Sequence, residues 1–371
     1  MTRKVPRRKL KKPLKRILLL VSTLLISYFL IKFAYNQYEI HQLKEIGYQS
    51  STIKLIDQHK LRNTLINRGE YSKTLEDALI NNEVYLDYLN LYFIRDEVSL
   101  EITQVYQRLE EKGYPIESLE TLFSQLNFRE LTPLLVFDFQ NDVAPYIEDV
   151  IKNRSTNINQ FVLSNNYFTP YDNPLIADIS QPYAIFVSKQ YQLPKDYSVQ
   201  LVNVSIGCRM SLMQLEEKTA EAFESMCSHM QSLGMKIAST SAYRSFEYQN
   251  DLYLSITKEY GIEAGERRVI RAGFSEHETG LAVDIASLTT PDVPFVQSRE
   301  SDWLIENAHT YGFINHYQKG YEQITGIQYE SWHYRYVGIE LATKIYESGL
   351  TFDEYYLLHL SSPQEVDNHG N

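Results

Sequence analysis

Five of the nine histidines fall between residues 229 and 333, and two of them stand in segments dense in small, acidic and aromatic residues. His277 lies seven residues before Asp284, with Gly280 and Ala282 between them, small residues where a backbone turns or approaches something closely. His333 follows Glu330 by three positions and Trp332 by one. Two imidazoles and one carboxylate form a borderline-soft donor set that suits one Zn²⁺ ion, and three protein ligands leave a position open, as catalytic zinc requires. Such a centre lowers the pKa of a water to about 7 and needs a carboxylate outside the ligand set to move the proton. Glu330, local to His333 yet offset from it, is the candidate. A cation must also hold the carbonyl oxygen as it gains charge, and Arg244, just after a predicted strand, fits that role.

The other candidates read more plainly. His41, His59, His229, His309, His359 and His369 are ordinary surface or core residues, and His316 has at most a contact with substrate. Glu276 and Glu278 flank His277, and strand alternation would point them to the opposite face, as solvated carboxylates. Cys208 and Cys227, nineteen apart, fit a disulfide and a pair of small buried residues equally well, and neither is assigned a catalytic role. The 29 tyrosines are spread along the chain, as core and surface aromatics are.

Elements must position these residues. Short strands are expected at Tyr183–Val187, Gln200–Val204, Met235–Thr240, Ala282–Ile285 and Tyr334–Val337, with helices at Ser211–Leu233, Tyr248–Tyr260, Ser301–Tyr311 and Ile339–Ser348. Helices beside a small, mostly antiparallel sheet make an α+β domain. Three prolines between Thr169 and Pro182 mark its boundary. Between Tyr38 and about Asn166 the apolar spacing is helical, as in Leu75, Leu79, Leu86, Leu89 and Phe93. A weak internal echo runs through this region: Leu43 to Gly47 and Tyr48, then Ile53, Leu55 and Ile56, resembles Leu109 to Gly113 and Tyr114, then Leu119 and Leu122. Each glycine would end one helix from a C′ position. The region reads as an all-helical stalk or spacer.

Residues 1–32 carry ten Lys/Arg and no acid, so residues 33–371 hold 26 bases against 47 acids, a balance of −21. That acidic body argues against nucleic-acid binding. Ile17 to Ile31 contains no charge. Fifteen residues rise only about 22 Å as a helix, and a snorkelling Lys32 lets Phe33, Ala34 and Tyr35 lengthen the span toward the ~30 Å of a bilayer core. The positive-inside rule keeps the basic tail cytoplasmic and puts the rest outside. No A-x-A pattern follows the run, which favours a retained anchor over a cleaved signal peptide.

With these residues in view, the chain resembles the zinc D,D-carboxypeptidases of the VanY type and the related L,D-carboxypeptidases that trim bacterial peptidoglycan stems. The family pattern S-x-H-x-x-G-x-A-x-D is matched by Ser275, His277, Gly280, Ala282 and Asp284. E-x-W-H-x-R-Y-V-G is matched by Glu330, Trp332, His333, Arg335, Tyr336, Val337 and Gly338. S-x-Y-R-S, followed shortly by Gln, is matched by Ser241, Tyr243, Arg244, Ser245 and Gln249. The three motifs stand in family order across about residues 183–350. The resemblance implies that His277, Asp284 and His333 bind zinc, that Glu330 is the general base, that Arg244 polarises the scissile carbonyl or holds substrate, and that Ser275, Tyr243, Gln249 and Trp332 face the substrate. Ser331, Phe274 and His316 depart from the family's usual Pro, His and Arg, and leave the ligands and the base in place.

The expected organisation is a cytoplasmic basic tail (1–16), a transmembrane anchor (17–35), a helical stalk (36–168), a zinc carboxypeptidase domain (183–360) and a polar tail (361–371). The expected activity is removal of the terminal D-Ala from peptidoglycan stem peptides outside a bacterial, Gram-positive-type membrane. An L,D-carboxypeptidase or an endopeptidase is the alternative within enzymes, with Tyr243, Gln249 and the loop Thr289–Ser298 as candidate selectors. A non-catalytic wall-binding module built on the helical region is the alternative outside them.

Overall fold

The computed structural model describes residues 12–136, 142–154, 171 and 174–361, and the chain divides into two compact units, 1–103 and 104–371. Much of the basic tail and the polar tail, His369 and part of the proline-rich boundary lie outside the described residues.

The first unit is helical. Helix α1 (Lys12–Ile46) contains the apolar run, and its portion Leu19–Ile46 is long and apolar enough to cross a membrane. Shorter helices at Ser50–Gln58, Arg62–Arg68 and Lys73–Asn81 follow, and Leu43, Ile56, Leu65, Leu75 and Leu79 pack into one core. The echo has a structural counterpart at both copies, the first in this unit and the second, at Leu109–Tyr114, in the other. Gly47 (φ +129°) and Gly113 (φ +92°) take backbone conformations that favour glycine, and the following Tyr48 and Tyr114 are both buried. Tyr48 N–H donates to Leu43 O at 3.0 Å, and Tyr114 N–H to Leu109 O at 3.1 Å, so each chain reversal closes on the helix before it.

The second unit is α+β. Strands β1 (Ile237–Ser241), β2 (Ala282–Ser287), β3 (Phe313–Asn315) and β4 (His333–Tyr336) form one antiparallel sheet in the order β1-β2-β4-β3. Helix α2 (Glu217–Ser232) covers one face, where Phe223, Met226 and Met230 meet Ile237, Val283, Ile285, Phe313 and Tyr334. Because strand side chains alternate, Asp284 points away from the face that Val283 and Ile285 bury, and His333 and Arg335 point away from that of Tyr334. The β2–β4 register sets Asp284 directly opposite His333. A disulfide joins Cys208 to Cys227 on α2 across a Cα separation of 6.1 Å.

Two expected elements differ. Tyr183–Val187 is not a strand: Ile185, Phe186 and Val187 are buried without sheet pairing, and the carbonyls of Tyr183 and Ile185 instead accept from Arg335 Nη2 at 3.4 and 2.7 Å. The helix expected from Ser211 starts only at Glu217, because Gln214–Glu216 pairs with Leu201–Asn203 as a two-stranded sheet. Helical residues from 104 onward, grouped by sequence with the stalk, lie in the same compact unit as the sheet. There Arg129 Nη1 pairs with Glu354 at 3.1 Å and Arg108 Nη2 donates to Ser361 O at 2.7 Å.

Candidate metal centre and active site

The tight turn Glu276–Thr279 places His277 beside the sheet. Ser275 caps the turn: its side chain accepts from Glu278 N–H, while the Glu278 carboxylate takes Ser275 N–H at 3.2 Å and Gly273 N–H at 2.7 Å. Gly280, at φ +74°, then turns the chain into β2, where an added Cβ would come within 3.3 Å of the Glu216 backbone.

His277 Nδ1 donates to Ala242 O at 2.7 Å, which leaves the Nε2 lone pair facing Asp284, 3.4 Å away. His333 Nε2 donates to the Glu276 carboxylate at 2.9 Å and turns Nδ1 toward Asp284 Oδ1 at 3.1 Å. One ligand atom from each of His277, Asp284 and His333 therefore lies within 4.8 Å of the other two. All three residues are buried. The donor set fits zinc: two imidazole nitrogens and a carboxylate oxygen converge, and the second nitrogen of each ring is held by an acceptor that fixes its tautomer.

Glu330 stands beside this group, Oε2 3.9 Å from His333 Nδ1. Its backbone N–H donates to Tyr317 O at 3.0 Å, and Asn315 Nδ2 donates to the carbonyls of both Glu330 and His333 at 2.8 Å, tying the two residues to one strand end. Burial raises the Glu330 carboxyl to about 7. The Asp284 carboxyl moves the other way: burial would raise it, and His277 and His333 hold it well below the usual carboxylate range. Burial would lower His333, but its hydrogen bonds to Asp284 and Glu276 raise it to about 9.

Arg244 reaches in from the end of β1. Its Nη2 pairs with Asp284 Oδ2 at 2.9 Å, Nε donates to Ser241 Oγ at 3.0 Å, and Nη1 faces Gln249 Oε1 at 3.4 Å. Gln249 is buried and donates to Ile270 O at 2.7 Å. A cavity of about 220 Å³ opens over the group, and Arg244, Gln249, Ser275, His277, Asp284, Glu330, Trp332 and His333 all line it. Trp332 is 42% exposed at its edge. Leu252, Ile256, Val269, Ile270 and Ile327 give it an apolar wall. Among the described residues Tyr243 does not line this cavity, nor does any residue of Thr289–Ser298.

Three expectations are corrected here. Glu276 and Glu278 are buried, 1% and 7% exposed, because residues 276–279 form a tight turn to which strand alternation does not apply. His316 is also buried, and lies between Glu276 Oε1 (3.0 Å) and Asp353 Oδ2 (2.6 Å) rather than on the cavity wall. Glu276 has a role that its motif alone does not reveal: Arg335, alternating with His333 on a buried strand face, requires a carboxylate, and Glu276 supplies it at 2.9 Å.

Residues 212–339 match the family model described as VanY, D-alanyl-D-alanine carboxypeptidase. The protein YodJ of Bacillus subtilis, which carries a carboxypeptidase name, is 32% identical over 216 residues, 55% of this chain and 79% of that one. A D-alanyl-D-alanine carboxypeptidase of Enterococcus faecalis is 33% identical over 180 residues, 46% of this chain and 64% of its own. Among solved structures, the LdcB LD-carboxypeptidase is 30% identical, with 50% of this chain and 97% of that chain covered and a TM-score of 0.45. A Zn(II) complex of a vancomycin-resistance D,D-pentapeptidase VanY is 34% identical, with 47% and 98% covered and a TM-score of 0.42.

Proposed function

We propose that this chain, which belongs to the VanY family of D-alanyl-D-alanine carboxypeptidases, is a zinc-dependent peptidase that removes the terminal D-Ala from peptidoglycan stem peptides at the outer face of the membrane, with the apolar part of α1 as its anchor and the short helices that follow it in the first unit as its spacer. The observation that carries the reading is the convergence of His277, Asp284 and His333 with Glu330 beside them in one cavity.

Zinc held by these three residues would supply Lewis acidity, lowering the pKa of a water and polarising the scissile carbonyl. Glu330 takes the proton of the attacking water and returns it to the departing amine as the C–N bond breaks. Arg244, fixed through Asp284, Ser241 and Gln249, offers its guanidinium to the oxygen that gains charge or to the substrate's carboxylate. The apolar wall suits the alanine methyl groups, and Ser275, with its hydroxyl committed to the turn, shapes the cavity floor.

Incubating the full chain with pentapeptide and tetrapeptide stems and following alanine release by mass spectrometry tests this. Chelator-sensitive loss of one alanine from the pentapeptide is expected. Loss from the tetrapeptide alone would move the assignment to an L,D-carboxypeptidase, the second reading. Glu330→Gln should keep zinc and lose about 10²- to 10⁴-fold in kcat, the usual contribution of a positioned acid–base group; unchanged turnover removes Glu330 from the role. Turnover requires the ionised carboxylate, so kcat/KM falls as pH falls through its titration. Burial sets that near 7, and a cation on the neighbouring ligands would lower it, so the acid limb belongs at or below about pH 7.

A further inference from the structure

We propose that His316 and Asp353 are positioning residues that hold His333 in its ligating orientation through Glu276, making the C-terminal turn Phe352–Tyr355 part of the metal centre. The inference rests on the reading of His277, Asp284 and His333 as zinc ligands. It concerns a residue, Asp353, that lies beyond the family-matched segment 212–339.

The Glu276 side chain is fully buried, and its two oxygens do different work. Oε2 accepts from His333 Nε2 at 2.9 Å, while Oε1 faces Arg335 Nη1 at 2.9 Å and His316 Nδ1 at 3.0 Å. The Arg335 hydrogen bond to Oε1, with the His316 ring in ion-pair contact beside it, sets the carboxylate and leaves Oε2 for His333. His316 is held in turn by Asp353 Oδ2, 2.6 Å from its Nε2. His316 Nε2 donates to Asp353, and Nδ1 lies within ion-pair distance of Glu276 without a hydrogen bond to it, so two carboxylates flank the ring and favour its charged form. The two carboxylates overcome the opposing effect of burial and raise His316 to about 10. Tyr317 stacks on the His316 ring at 4.6 Å and also packs against His333 at 4.7 Å, so the rings are restrained as well as their polar ends.

Asp353 is itself fixed. Its turn begins with a capping box between Thr351 and Glu354, and Glu354 pairs with Arg129 of the preceding helical segment at 3.1 Å. The chain Asp353, His316, Glu276, His333 thus runs from the C-terminal turn to the ligand atom without an exposed member. An outer partner that fixes the ring and tautomer of a ligating histidine typically contributes 10- to 100-fold in metal affinity.

The experiment is zinc affinity by chelator competition on the full chain in detergent, with the absorption spectrum of the Co²⁺-substituted protein as a second readout. His316→Gln and Asp353→Ala should weaken zinc binding about 10- to 100-fold and alter the cobalt spectrum, whereas His316→Arg, which keeps a cation, should recover most of the affinity. Variant affinities within twofold of wild type with an unchanged cobalt spectrum overturn the proposal. Asp353→Asn keeps the volume and decides the matter if the alanine variant does not fold; if the asparagine variant also fails to fold, Asp353 is only structural and the proposal falls. A wild-type chain that binds no zinc overturns the ligand assignment itself, a different failure.

Discussion

Glu76 in residues 1–103 and Glu276 in residues 104–371 are both buried carboxylates, and their partners separate a structural acid from one built into chemistry. Glu76 is satisfied by neutral donors: Thr52 Oγ1 at 2.5 Å, Tyr71 Oη at 2.6 Å and Gln49 N–H at 3.3 Å. Glu276 meets Arg335, His316 and His333. Both carboxyls lie below their ordinary pKa. Burial opposes the shift in each case, hydrogen bonds overcome it at Glu76, and the charges of His316 and Arg335 overcome it at Glu276. A carboxylate held by neutral donors only ties helices together. One held by cations can stay ionised in a dry interior and accept a hydrogen bond from a neighbouring imidazole, as Glu276 does from His333.

The comparison breaks most readily at Glu276. Glu276→Ala leaves Arg335, fully buried, without its carboxylate, and removing one partner of a buried pair costs about 3–5 kcal/mol. Both tryptophans, Trp303 and Trp332, lie in the second unit, so their fluorescence in a denaturant titration reports that unit. A shift of the fluorescence midpoint below about 1 kcal/mol would mean that Arg335 finds other acceptors, and the two acids would then be of one kind. Glu76→Ala should cost less, about 1–3 kcal/mol, the penalty for unsatisfied neutral donors. It should leave the tryptophan transition in place and appear instead as faster amide exchange in Ser50–Gln58 and Lys73–Asn81.

The same contrast explains what could be read from the chain alone. That His277, Asp284, His333, Glu330 and Arg244 come together in one cavity was legible because each sits in a short motif whose residue types make sense only together. The helix reversal at Gly47 and Gly113 was legible because a glycine followed by an apolar ring is a local signal. Glu276 was misread because its burial depends on Arg335, 59 residues later, and on a tight turn that breaks strand alternation. Tyr183–Val187 was misread for a related reason: its apolar run is buried as a strand would be, yet two of its carbonyls answer Arg335 and not a neighbouring strand. The pairing of Cys208 with Cys227 needed a Cα separation that no spacing supplies.

The smallest effects belong to the echoed glycines, and they sharpen the account of Glu76. Gly113→Ala introduces a side chain at φ +92° with nothing within 4 Å, so only the backbone strain of about 1–2 kcal/mol is expected. Gly47→Ala should cost more, because its new Cβ would lie 3.2 Å from the Tyr71 ring. That ring is 43% exposed and would move aside were its hydroxyl not bonded to Glu76 at 2.6 Å. Gly47→Ala and Glu76→Ala should therefore couple. In the Glu76→Ala background the ring is released, and the part of the Gly47→Ala cost that comes from the Tyr71 contact should vanish. A double-mutant cycle read by amide exchange in Lys73–Asn81 measures this coupling. Additive costs would mean that Tyr71 is held by its packing against Tyr48, 5.2 Å between ring centroids, and that the Glu76 hydrogen bond contributes nothing to its position.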